Sequence, residues 1–426
     1  MRILAYTSPA RGHLYPLVPL ATELAARGHE LHVLSLAGEL HHLAALGIAA
    51  TPIDPAIEHN QLQDWRERLP LRAMVSALST FAQRAQREAP DLQRAIQHFA
   101  PELLLIDFNC WGACAVAEAS GLPWAVYCPY LLPLPSRDAP AYGPGLPPWH
   151  GPLAKSLGPL RDALVRAVSD GRIDRATVPP LNALRAPLGV APLAHFTDLI
   201  ARPPLLLSLT VEGFEYPRND WPANVKLVGP MNWSPPTHPS PHPNPAHTRS
   251  PSGGEPPAWL DGLGDPLVLV TCSTERQRDG SLVGVALQAL PPAGMAVLGT
   301  SAAHDPAAFS VPAGSRVERF VPHDAVLARA ACVVCHGGLG ITQKALAAGV
   351  PVVVVPFGRD QLETARRVEW AKAGTRLSPL RLRPARLLAA VRTALGRRAG
   401  AQRVSAAYAA AGGAPAAATA IERLAG

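Results

Sequence analysis

Aromatic side chains are scarce in this 426-residue chain, at 5% of the total. Grooves for single-stranded nucleic acid stack bases on aromatic platforms set along a basic stripe. The chain is basic, with a formal net charge of +7, but its arginines are scattered through helix-forming stretches apart from a cluster at Arg376–Arg398. Solvated helix faces account for that pattern, so no nucleic-acid partner is expected. No apolar run is long enough to span a bilayer. Met1–Ser8 reads as a strand rather than a leader, so the expected location is the cytoplasm. Cysteine is limited to six residues, Cys110, Cys114, Cys128, Cys272, Cys332 and Cys335, mostly in apolar segments. That describes buried thiols in a reducing compartment, not a disulfide framework. Cys332 and Cys335 have C-x-x-C spacing, but residues three apart in a strand point to opposite faces, and there is no second pair. The first strand is not followed by the G-x-G-x-x-G dinucleotide fingerprint. The expectation is therefore no metal and no cofactor.

Hydrophobic residues make up 48% of the chain, enough for a folded protein. At this length two cores are expected rather than one. Ser234–Pro257 holds nine prolines among Ser, His and Gly, and such a segment reads as an extended linker. His238, His242 and His247 fall in it, where spaced histidines in coil make weak ligands. The expected division is residues 1–233, a linker at 234–258, and a second domain at 259–426.

What the second half does contain is a strand, a glycine turn and a helix in the order that receives an anion. Ala331–Cys335 is short and β-compatible; Gly337, Gly338 and Gly340 follow; Thr342–Ala348 is helix-forming. Glycines let a phosphate approach the backbone, and the free N–H groups and dipole of a helix start favour negative charge. His336 enters the same turn. Val350–Val355 is a β-branched run typical of a parallel strand buried on both faces. After it, Asp360 and Gln361 reach the sheet edge where open α/β sheets bind ligands. A carboxylate beside an amide suits sugar hydroxyls, which both donate and accept. In the first half, Arg2–Thr7 is a strand, Pro16 is expected to begin a helix, and His13 lies just before it at the strand's carboxyl edge. Asp107 ends the buried strand ELLLID. There it is either a structural acid or the group that holds one imidazole tautomer. The Pro- and Gly-rich stretch from Pro129, with Tyr130 and Tyr142, is expected to help wall a pocket, together with Trp111.

The run HGGLGITQKALAAGVPVVVVPFGRDQ, residues 336–361, resembles the donor-binding signature of family-1 glycosyltransferases, which have the two-domain GT-B fold. Glu318–His323 (ERFVPH) resembles the start of that signature. ARGHLYPLVPLATELAARGHE resembles the family segment that carries the catalytic base, and LLLIDFNCWGACAVAEASGLP the segment that supplies its aspartate. The resemblance implies an α/β fold of two Rossmann-like doubly wound domains facing a central cleft. It implies that a UDP- or dTDP-sugar binds the second domain. Phe320 and Val321 would hold the base. His336, Gly337, Gly338, Gly340, Thr342, Ser273 and Thr274 would hold the diphosphate, and Asp360 and Gln361 the sugar. His13, steered by Asp107, would take a proton from a small apolar acceptor, and metal-free single displacement would invert the anomeric carbon. Tyr130, Tyr142 and Trp111 would line the acceptor pocket. A monomer or homodimer is expected. One departure stands out: the family usually has Ser or Thr after the third glycine, and this chain has Ile341, with Thr342 next. Two alternatives stay open, a nucleotide-sugar epimerase on the same fold and a non-catalytic sugar-nucleotide-binding partner protein.

Overall fold

The computed structural model describes residues 1–67, 69–148, 152–235, 257–275, 277–302 and 304–426. Their apolar runs assemble into two separate sheets. The first contains β1 (Arg2–Tyr6), β2 (Glu30–Ser35), β3 (Ala49–Pro52), β4 (Leu103–Asp107), β5 (Trp124–Cys128), β6 (Leu205–Ser208) and β7 (Val225–Leu227), in the order β3-β2-β1-β4-β5-β6-β7. The second contains β8 (Leu267–Thr271), β9 (Ala296–Thr300), β10 (Arg316–Glu318), β11 (Ala330–Cys335), β12 (Val352–Val354) and β13 (Gly374–Arg376), in the order β10-β9-β8-β11-β12-β13. Every pairing within the two sheets is parallel. Helices cover both faces, so the central strands β4, β5 and β8 are buried along their whole length, as parallel sheets require. Chain direction across the sheet reverses between β1 and β4 in the first domain and between β8 and β11 in the second. Ligand crevices open at such switch points, beyond the carboxyl ends of the strands. His13 and Asp107 follow β1 and end β4. Ser273 follows β8, and the glycine turn follows β11.

The first helix runs from Arg11 to Ala26 and contains Pro16 and Pro19, so it begins five residues before the expected start at Pro16. Its stripe of Leu14, Leu17, Leu20 and Leu24 is buried against the sheet. That packing outweighs the backbone bonds the prolines cannot make. His13 therefore sits in the first helical turn rather than in a loop. The alanine-rich end forms two helices, Arg398–Ala410 and Gly413–Ala425, separated at Gly412, whose φ is +85°. The last helix returns to the first domain. Ala417, Ala418 and Ile421 share a core with Leu14, Val18 and Leu24, and Arg27 donates to Glu422 at 2.7 Å. Residues 236–256, most of the expected linker and its three histidines, lie outside the described residues. No described helix is long and apolar enough to cross a membrane. All six cysteines are free and buried, Cys332 and Cys335 included.

Candidate active site

The first-domain half of the site is built on β1 and β4. Asp107 is completely buried at the end of β4. Its carboxylate accepts from the Ser8 backbone N–H at 3.2 Å, the Asn109 N–H at 2.9 Å and the Tyr127 hydroxyl at 3.4 Å. Its main partner is His13, whose Nδ1 lies 2.7 Å from Asp107 Oδ2. A carboxylate fixed by three other donors accepts, so Nδ1 carries a hydrogen, and in the neutral ring Nε2 is the nitrogen with the lone pair. Residues 94 apart in sequence are thus joined.

The second-domain half is the turn after β11. Gly337 has φ +96°, and a Cβ there would meet Val354 Cγ1 at 2.6 Å, so only glycine fits. Gly338 caps the helix Leu339–Ala347. His336 is buried, and its Nδ1 has no partner among the described residues. Burial pushes its pKa down to about 4, which leaves the ring neutral near pH 7. Ser273 Oγ accepts from Glu275 N–H and Gln277 Nε2, which shapes the loop after β8. Asp360 caps the helix Gln361–Trp370. Burial raises the pKa of its carboxyl, and the nearby Arg359 and His13 oppose that rise. Asp360 of one domain and His13 of the other line the same cavity. Gln361 Oε1 accepts from the Phe357 and Gly358 N–H groups at 2.7 and 3.0 Å, and its Nε2 donates to Gln277.

Both halves face one cavity of about 2030 Å³ between the sheets. His13, Asn109, Ser273, His336, Gly338 and Asp360 are on its wall. Beyond them extends an apolar lobe that includes Leu71, Met74, Leu78, Phe81 and Phe196. The domains are pinned together beside the cavity. Arg359, at φ +54°, makes a two-pronged bridge to Asp64 at 2.8 and 2.9 Å, and the Gly143 and Gly145 N–H groups both donate to Glu363 at 2.8 Å.

Over 407 residues the chain is 32% identical to 4'-demethylrebeccamycin synthase of Lentzea aerocolonigenes, an alignment spanning 92% of this chain and 91% of that protein. Residues 294–424 also match the family described as erythromycin biosynthesis protein CIII-like, C-terminal domain. The chain belongs to the natural-product glycosyltransferases. This glycosyltransferase superposes on spinosyn rhamnosyltransferase complexed with spinosyn aglycone with a TM-score of 0.72 at 18% identity, covering 99% of this chain and 100% of that one. It superposes on the glycosyltransferase VinC in complex with dTDP with a TM-score of 0.69 at 23% identity, over 100% and 99% of the two chains. These likenesses show the GT-B fold.

Not every residue singled out in the sequence reaches the cavity of the glycosyltransferase. Trp111 does not: it lies in the core behind the wall, edge-on to Phe81 and Phe196 with ring centroids 5.6 and 5.2 Å away. An indole at the start of a buried helix packs before it lines a pocket. Thr342 is also fully buried, and its hydroxyl donates to the Gly338 carbonyl at 2.9 Å, whereas Ile341 is on the wall. Helical rotation turns the hydroxyl inward and the apolar side chain outward. Val321 is buried and Phe320 half exposed on the wall. Thr274, Gly340, Tyr130 and Tyr142 are wall residues. Asn109, Arg359 and Asp64 were missed in the sequence. Only the placement of Asn109 two residues beyond Asp107 hinted at a role. Among the described residues, Cys272, Asp279 and His304 bring ligand atoms within 4.8 Å of one another. Asp279 also accepts from the Ser273 N–H, and burial pushes the Cys272 thiol up to about 12.

Proposed function

We propose that this glycosyltransferase moves a sugar from a dTDP- or UDP-sugar to a hydroxyl of a small, largely apolar acceptor by one inverting displacement that needs no metal. The observation that carries the reading is the bond between His13 and the buried Asp107, on a cavity that Asp360 of the other domain also lines. His13 Nε2 takes the acceptor proton as general base. The acceptor oxygen attacks the anomeric carbon from the face opposite the diphosphate. The N–H groups at the start of Leu339–Ala347, with the His336 ring, receive the charge that grows on the leaving phosphate. Asp360 and Gln361 hold the sugar, and the apolar lobe takes the aglycone. A relative named as a rebeccamycin-type synthase and a neighbour solved with a spinosyn aglycone support an acceptor of natural-product class. The dTDP complex of VinC supports the donor class. An epimerase would have no use for the apolar lobe.

The test is nucleotide release from a donor panel with and without acceptors, with the anomeric configuration of the product read by NMR. Inversion, acceptor dependence and undiminished turnover in excess EDTA are expected. Retention of configuration, or activity lost to EDTA and restored by magnesium, would overturn the corresponding part. His13→Ala is expected to lower turnover by about a hundredfold to ten-thousandfold with donor affinity unchanged.

A further inference from the structure

Asn109 is buried on the cavity wall, and its side chain reaches the edge of the His13 ring opposite Asp107. Its Nδ2 lies 3.3 Å from His13 Nε2, and its Oδ1 accepts from the Tyr130 hydroxyl at 2.6 Å. Each assignment follows from the one before. Asp107 only accepts, so His13 Nδ1 holds the hydrogen and Nε2 is an acceptor. The Asn109 amide must then turn its NH2 group toward Nε2 and its oxygen toward Tyr130, whose hydroxyl donates. Burial raises the pKa of the Tyr130 phenol well above its ordinary value, so that donor stays protonated.

We propose that Asn109, held by Tyr130, is a positioning residue that keeps the His13 lone pair directed at the cleft and gives a second hydrogen bond to the acceptor atom. The proposal rests on the reading of His13 as the base. Two atoms 3.3 Å apart can both reach a third at ordinary hydrogen-bond length. An acceptor hydroxyl at Nε2 is therefore also within reach of Asn109 Nδ2. The oxygen gives its proton to His13, takes a hydrogen bond from Asn109 on one lone pair, and keeps the other lone pair for attack. Without the acceptor, Asn109 Nδ2 stands against Nε2 itself. The other groups around His13 are Asp107 beneath it, Asp360 across the cleft, the Tyr127 hydroxyl on its carbonyl at 3.2 Å and the Tyr130 ring at 6.0 Å. Of these, only Tyr130 is touched by a change at Asn109, through the bond from its hydroxyl to Asn109 Oδ1.

The near-isosteric Asn109→Asp replaces the donor by an acceptor, and Asn109→Ala and Tyr130→Phe remove the two contacts. Full-length protein with 15N-labelled histidine reports the His13 tautomer by NMR without any turnover. Calorimetric donor affinity checks that each variant is folded. In the wild type the Nε2 shift of an unprotonated nitrogen is expected. In Asn109→Asp both ring nitrogens stay protonated to higher pH, and the acid limb of kcat/KM moves up by about one pH unit. Asn109→Ala lowers kcat by up to about a hundredfold at all pH values, and Tyr130→Phe less. Wild-type histidine shifts and an unmoved acid limb in Asn109→Asp, or full turnover in Asn109→Ala, would overturn the proposal. Full turnover in His13→Ala would instead refute the base assignment, while the NMR shifts still report whether Asn109 touches the ring.

Discussion

Ile341 and Thr342 differ by one position and face opposite ways. The hydroxyl that stood as an alternative for the family's phosphate contact is bonded to the Gly338 carbonyl inside the helix. A hydroxyl at residue 341 is therefore expected to add a contact that the chain lacks. A hydrogen bond to a charged group contributes about 1.5–3 kcal/mol, so Ile341→Thr should tighten donor binding roughly tenfold or more by calorimetry. Thr342→Val should leave donor affinity unchanged and cost stability instead. Weaker donor binding in Ile341→Thr would mean that the apolar side chain shapes the turn. A buried histidine, His336, and a half-buried one, His323, make a further residue-scale prediction. Burial lowers the pKa of His336 to about 4 and that of His323, beside Lys344, to about 3. An unfolded histidine titrates near 6.5, so below that pH the unfolded chain binds more protons than the folded one. The stability from these groups is complete above about pH 6.5 and is lost as the pH falls toward 4 and then 3. Urea midpoints should drop between pH 7.5 and 5, and less so in a His323→Gln, His336→Asn double variant. Equal slopes for the two proteins would refute the assignment.

At the scale of the element, the decisive unit is the turn that starts the helix Leu339–Ala347. Gly338 has φ −58°, a value any residue adopts, so its backbone does not demand glycine. Space does: a Cβ at Gly338 would stand 2.5 Å from His336 Nε2. Gly338→Ala is therefore expected to fold, to push the His336 ring aside and to weaken donor binding about tenfold or more. Calorimetry with the nucleoside diphosphate alone reads this without chemistry. Unchanged affinity would remove His336 from the phosphate site. Gly337 is different: its positive φ and the approach of Val354 make Gly337→Ala a folding defect rather than a binding one.

At the scale of the whole molecule, the two domains are joined at several points. The last helix packs into the first-domain core, and Arg359 crosses the cleft to Asp64. Arg359 precedes Asp360 in the chain, so the bridge sets where Asp360 stands relative to His13. Removing one partner of a buried ion pair costs about 3–5 kcal/mol. Asp64→Ala should cost less than that range, because the Arg359 side chain is partly exposed. It should lower the melting temperature, raise the radius of gyration measured by small-angle scattering, and raise KM for the acceptor. Unchanged scattering and KM would show that the bridge does not hold the domains.

Local patterns already determined much of this protein. β-branched runs, a glycine turn and an apolar stripe act within a few residues, so β1, β4, β11, β12, the helix after the turn and the paired α/β domains were legible. β3 and β13 were not, because AATP and GTR are short and carry no alternation. Tertiary structure decided which distant side chains share a space. Packing of the leucine stripe drew His13 into a helix despite Pro16. Core formation claimed Trp111, helical phase turned Thr342 inward, and the return of the last helix tied the chain's end to its start. The Asn109 amide on the His13 ring and the Arg359 bridge, whose partners are 96 and 295 residues apart, follow from no local period. Hydrophobic periodicity sets elements one at a time, whereas the contacts between their ends depend on how the two sheets face each other.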